Sequence, residues 1–226
     1  MKSPAQRHYE RAMAERAAAS TAPDETLAGA SAYDLMLAKL ASDRRRLKAI
    51  ASIERKVEVK RAELLPEYVD YVAGALSGGR GAQDDVLTTI MIWRVDAGDY
   101  AGALDIARYA LAHRMTLPDQ YDRPLATAIA EEFAEAALTA FKRGETFERA
   151  QLDEVAQLTA QADMHDQVRA KLHKVIGYAA ERAGDGTAAL EHLCRALALD
   201  SRAGVKQDIA RLEKAGNATD KHDGRT

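Results

Sequence analysis

The chain has 226 residues, 47% of them hydrophobic, and a formal net charge of −3, enough apolar material for a folded core in one or two domains. Its longest central stretch free of charge and glycine is "VLTTIMIW", 86–93, which excludes a membrane span, since crossing a bilayer takes about 20 apolar residues. Cys194 is the only cysteine, which excludes an intrachain disulfide; the residue reads as a small buried apolar group in a protein of a reducing cytosol.

Ala, Leu, Arg and Glu dominate, aromatic content is 5%, and β-branched residues never run together for long, so the expected fold class is all-α. The charged amphipathic N-terminus lacks the apolar stretch of a secretory signal, and Ser3-Pro4 opens a helix to about residue 20. "TAPDETLAGA", 21–30, reads as a linker, closing an N-terminal segment 1–30. Ser31 then caps a long basic helix, 31–65, which Pro66 stops or restarts. In a heptad frame its a positions hold Tyr33, Leu40, Leu47, Glu54 and Arg61, and its d positions Met36, Asp43, Ile50, Val57 and Leu64. Such a seam packs along another helix, in its own domain or in a second subunit, and Asp43, Glu54 and Arg61 interrupt it.

A helical-hairpin body, 66–215, follows. A helix over 66–77 ends in "GGRG", 78–81, which lacks the Lys-Ser/Thr of a phosphate loop and reads as a helix cap and turn. Asp84 or Asp85 caps the next helix, to Trp93, and Asp99 caps another, to Arg114. A connector with two prolines spans 115–124, and helices follow at about 125–143, 148–162, 166–183, 187–199 and 202–214, ahead of a flexible tail, 216–226. "WRVDAGDYAGALDIARYAL", 93–111, and "AERAGDGTAALEHLCRALAL", 180–199, share a Gly-Asp turn between helices, Gly98-Asp99 and Gly184-Asp185. Each resembles a tetratricopeptide unit, but the 86-residue offset between them is far from the 34-residue period of such arrays, so no regular solenoid is expected.

Charge is unevenly spread: residues 1–61 carry 13 Lys/Arg against 8 Asp/Glu, and the rest 19 against 27. The basic front end suits a polyanion, and its strongest stretch, "KLASDRRRLKAIASIERKVEVKR", 39–61, offers Lys39, Arg44, Arg45, Arg46, Lys48, Arg55, Lys56, Lys60 and Arg61 as a candidate phosphate track. Charge alone implies sequence-independent contact with the DNA backbone. The alternative for the same residues is a solvated helix face.

No catalytic constellation stands out. The histidines, 8, 113, 165, 173, 192 and 222, are scattered without metal-ligand spacing and read as surface or capping residues. Asp84-Asp85, Asp119 with Asp122, Glu131-Glu132 and Asp153-Glu154 are the carboxylate pairs on offer to a metal-dependent nuclease, and each reads first as a cap or a helix-surface pair. No metal site is expected.

"SPAQRH" at 3–8, "YDLMLAKLASDRRRLKAI" at 33–50, "ELLPEYVDYVAGAL" at 63–76 and "GAQDDVLTTIMIWRVDAGDYAGALDIARYAL" at 81–111 together resemble the phage terminase small subunit family of temperate cohesive-end tailed phages, also labelled the terminase endonuclease subunit. "ADMHDQVRAKLHKVIG", 162–177, and "GDGTAALEHLCRALALDSRAGVKQDIARLEK", 184–214, extend the likeness over nearly the whole chain. The resemblance implies a subunit that binds packaging-site double-stranded phage DNA in the host bacterial cytoplasm. It further implies recruitment of a large ATPase and nuclease subunit, and assembly as a homo-oligomer such as a ring. The family's endonuclease label raises an alternative in which this chain itself cuts DNA with Mg²⁺, held by Asp84 and Asp85; a second alternative is a helical protein-binding adaptor.

Overall fold

The computed structural model describes residues 8–9, 11–12, 32–78, 80–119 and 121–223, the side chains beyond residue 216 excepted. Among them every regular element is helical, as the composition predicts. The N-terminal helix and linker expected over 4–30 lie outside the described residues, apart from positions 8, 9, 11 and 12, which are helical. The chain divides into two compact units, the first ending at Leu125 and the second beginning at Ala126.

In the first unit α1 spans Ala32–Lys48 and α2 Ile53–Val59; one turn of π-helix, Lys60–Leu64, leads into α3, Leu65–Gly78. The single helix expected over 31–65 is therefore broken, and Pro66 lies inside a helix instead of ending one. Both differences have local causes. Ser52 is extended, with φ −70° and ψ 125°, and its hydroxyl accepts the Arg55 N–H at 3.2 Å, a side-chain N-cap that starts α2 afresh. Proline offers no N–H and its ring crowds the carbonyl four residues back. The wide turn just before Pro66 accommodates this, with the Leu65 N–H donating to the Lys60 carbonyl.

Helices α4, Asp85–Ala97, and α5, Tyr100–Ala112, complete this unit. Val86 to Trp93, Val95 and Ala97 are all buried, so α4 is enclosed on every side. The apolar seam of α1, Met36, Leu40 and Leu47, is buried in the same unit. Packing within the domain covers these three positions, while Tyr33, Ile50 and Val57 of the same seam are half-buried. The glycine-rich loop after α3 closes by a hydrogen bond from the Gly81 N–H to the Tyr109 hydroxyl at 3.0 Å. Gly81 has φ +69°, and an added Cβ would collide with the His113 ring at 2.1 Å, so glycine is required there.

The second unit holds α6, Leu125–Lys142, from its second residue, then α7, Arg149–Leu158, α8, Asp166–Arg182, α9, Gly186–Leu199, and α10, Lys206–Asp223. Its core draws on Ile129, Phe133, Leu152, Leu172 and Ile176, and Val205 and Ile209 pack around Leu193. Gly177 lets α8 and α9 meet closely, since a Cβ there would sit 2.8 Å from Leu193. The helix expected from 202 begins only at Lys206, after a turn containing Gly204 at φ +73°, and it continues through the expected tail to Asp223. Cys194, expected to be buried, is exposed: it lies on the solvent side of α9, whose inward positions are Ala189, Leu193 and Ala196.

Candidate nucleic-acid interface

The nine cations between Lys39 and Arg61 lie on a helical hairpin. Arg46 pairs with Glu63, Lys39 bridges Asp43 at 2.6 Å and Glu67 at 2.8 Å, and the Tyr68 hydroxyl donates to Asp43 at 2.7 Å. These cross-links run α1 antiparallel to the α2–α3 helix and put Ala49–Lys56 at the apex. The Lys39–Asp43–Tyr68 set is structural. Tyr68 is fully buried, meets Trp93 edge to face at 6.2 Å, and carries the Lys39 ammonium over its ring at 4.6 Å. Burial pulls the Lys39 pKa down, but hydrogen bonds to Asp43 and Glu67 leave it net above the usual lysine value.

Other cations are also held by their own unit. Arg44 donates to the Thr89 hydroxyl at 2.7 Å, and Arg55 pairs with Glu58 at 2.6 Å. Lys60 pairs with Asp96 and lies over the Trp93 ring at 5.9 Å. Arg61 donates from Nε to the Ala97 carbonyl at 2.9 Å, at the C-terminal end of α4, where a positive charge is favoured. Arg45, Lys48 and Lys56 make no ion pair with any described residue; Arg45 and Lys48 are exposed and Lys56 is half-buried. The structure thus sorts the expected track into a majority engaged in the fold and three cations at the apex end of the hairpin. Of the partners that neutralise it, Asp43 and Glu58 lie within the basic stretch, while Glu63, Glu67 and Asp96 lie outside it and have no sequence signal.

The carboxylates that a nuclease reading would use are built into the fold. Asp84 caps α4 by accepting the Leu87 N–H at 2.8 Å on one oxygen, and on the other it accepts the Tyr71 hydroxyl at 2.6 Å. Burial raises its pKa despite these donors, and burial with the neighbouring Asp84 charge raises that of Tyr71. Asp85 accepts from the Gln83 amide at 2.7 Å. Both oxygens of Asp84 therefore have structural partners, and the pair does not fit a divalent-cation site. Among the described residues no group of three or more His, Cys, Asp or Glu side chains is placed to hold a metal.

Sequence reasoning missed one polar pair altogether. His173 on α8 and His192 on α9, read as surface residues, face each other half-buried with Nδ1 atoms 3.0 Å apart. Burial, then the neighbouring His192, lowers the His173 pKa to about 4, and burial lowers that of His192.

Comparison with known proteins supplies the context for this hairpin. A family model described as the phage small terminase subunit matches residues 37–167, a stretch that begins within α1 and contains all nine cations. The terminase endonuclease subunit of Escherichia phage P2 is 50% identical over 216 residues, covering 95% of this chain and 85% of that protein. The probable terminase endonuclease subunit of Haemophilus phage HP1 is 23% identical over 199 residues, covering 82% of this chain and 71% of that one. No solved structure matches the chain.

Proposed function

The chain belongs to the phage small terminase subunit family, and from that premise we propose that it binds double-stranded phage DNA at the packaging site and recruits the large ATPase and nuclease subunit. One observation carries the reading: Arg45, Lys48 and Lys56 stand without ion pairs among the described residues at one end of a hairpin whose other cations are engaged in the fold. A surface cation that holds no internal carboxylate keeps its full charge for a phosphate, and neutralising phosphates releases counterions from the duplex. Contacts of this kind position the subunit on the backbone; base readout requires further groups.

The work of this chain is recruitment, in the host cytoplasm and as a homo-oligomer. Met36, Leu40 and Leu47 of the α1 seam are covered within their own unit, so subunit packing does not use them. In a gel-shift assay with a duplex from the packaging region, the protein alone should retard the DNA, and adding the large subunit should give a slower complex. No retardation even at low salt would favour the adaptor alternative and defeat this reading.

A second reading, cleavage by this chain with Mg²⁺, is favoured by the endonuclease label of the P2 and HP1 relatives. Against it stand the structural partners of Asp84 and Asp85. Site-specific nicks made with Mg²⁺ in the absence of the large subunit, and lost in Asp85→Asn, would replace recruitment by catalysis.

A further inference from the structure

The apex of the basic hairpin is apolar as well as cationic. Ile53, the first residue of α2, is 78% exposed, the most exposed large hydrophobic residue among those described. Ala49, Ala51 and Ser52 beside it are exposed too, and Ile50 is half-buried. Within 44–56 lie Arg44, Arg45, Arg46, Lys48, Arg55 and Lys56 against a single carboxylate, Glu54. An isolated surface isoleucine is ordinary. An isoleucine at the apex of a hairpin, with unpaired cations both before it on α1 and after it on α2, is a different arrangement.

The charge decides what can cover it. A partner presenting an apolar surface alone would leave Arg45, Lys48 and Lys56 facing a low-dielectric interface without counter-charges, which is unfavourable. Duplex DNA supplies both requirements at once, phosphates on either side of a groove and the apolar faces of bases between them. Small aliphatic side chains carried into the minor groove wedge open a base step, and flanking cations hold the phosphates of the bent duplex. We infer that Ile53 is such a wedge: it inserts at a base step while Arg45, Lys48 and Lys56 hold the adjoining backbone, so that the subunit bends the DNA it binds. The inference rests on the DNA-binding reading above and adds deformation as its means of selecting a site, because flexible pyrimidine–purine steps open most easily.

The test is end-to-end energy transfer in a donor- and acceptor-labelled duplex of the packaging region, titrated with the full-length protein to saturation. Wild type should raise the transfer, consistent with a bend of about 20–90°. Ile53→Ala should bind about tenfold more weakly and leave the saturated duplex straight, while Ile53→Leu should restore the bend. Lys48→Ala should weaken binding in a salt-dependent way and still bend the duplex at saturation. Because Ile53 is exposed, its replacement should leave the helical circular dichroism unchanged. Equal bending by Ile53→Ala and wild type would overturn the wedge while leaving DNA binding standing. A mass in solution that falls on Ile53→Ala, with DNA bending unchanged, would assign the apex to contact between protein chains instead. Failure of wild type to bind the duplex at all would defeat the DNA-binding reading itself.

Discussion

The two Gly-Asp hairpins turn in the same way and pack in opposite ways. In each, the glycine has φ +81° and the aspartate caps the following helix at 3.0 Å, Asp99 to the Gly102 N–H and Asp185 to the Ala188 N–H. In each, the aspartate N–H closes the preceding helix, to Arg94 at 2.8 Å and to Ala180 at 2.9 Å. Stepping 86 residues from one hairpin to the other, Met91 and Ala107 correspond to Gly177 and Leu193. The large side chain has moved to the opposite helix and a small one has taken its former place. Leu87 and Ile106, both fully buried, correspond to His173 and His192. A turn motif thus fixes how two helices meet, while the residues down the hairpin decide whether corresponding positions hold apolar side chains, as Leu87 and Ile106 do, or a polar pair, as His173 and His192 do.

The largest test of that contrast is a double-mutant cycle at the size exchange. Leu193→Ala should cost about 2–5 kcal/mol in urea unfolding, the range for truncating a buried leucine. Gly177→Ala should cost about 1–3 kcal/mol, since its Cβ would lie 2.8 Å from Leu193 and 3.2 Å from the Ala189 carbonyl. In the Leu193→Ala background, most of the glycine cost should vanish. Additive losses would show that Gly177 serves something other than this close approach.

A smaller effect comes from the histidine pair. Both pKa values are depressed in the folded state, His173 to about 4, so the fold favours the neutral rings. The stability this confers is present above the ordinary histidine value of about 6.5 and is lost as pH falls from there towards about 4. Discounted for the partial exposure of both rings, the loss should be on the order of 1 kcal/mol. Denaturation midpoints measured across that window should decline for the wild type and flatten in His173→Leu, which copies Leu87 of the first hairpin. An unchanged slope would remove the pair from the pH response.

Much of the fold can be read in the sequence because its signals are local. Gly98-Asp99 and Gly184-Asp185 each put a left-handed glycine beside a capping aspartate, and Asp84 sits where a cap belongs. The break at Ala49–Ser52 was hidden because heptad spacing continues across it. Ser52 with Glu54 in the first turn is a short helix-start signal that a longer apolar period outweighs. The candidate interface was legible only as a run of charge. Which cations stay unpaired depends on Glu63, 17 residues from Arg46, and on Asp96, 36 residues from Lys60. Such long-range pairs leave no spacing to find. The interruption of the seam at Asp43 was visible, but its cause, the buried hydroxyl of Tyr68, belongs to another helix.

The central claim is that pairing within the fold separates the cations that bind DNA from those that shape the hairpin. The salt dependence of duplex binding tests it most directly, comparing Arg45→Ala/Lys48→Ala/Lys56→Ala with Arg46→Ala/Arg55→Ala. The triple variant should flatten the plot of log Kobs against log salt by about 0.9 for each phosphate contact removed, and the double variant should leave the slope near wild type. An unchanged slope in the triple variant, or a larger loss in the double, would contradict the account.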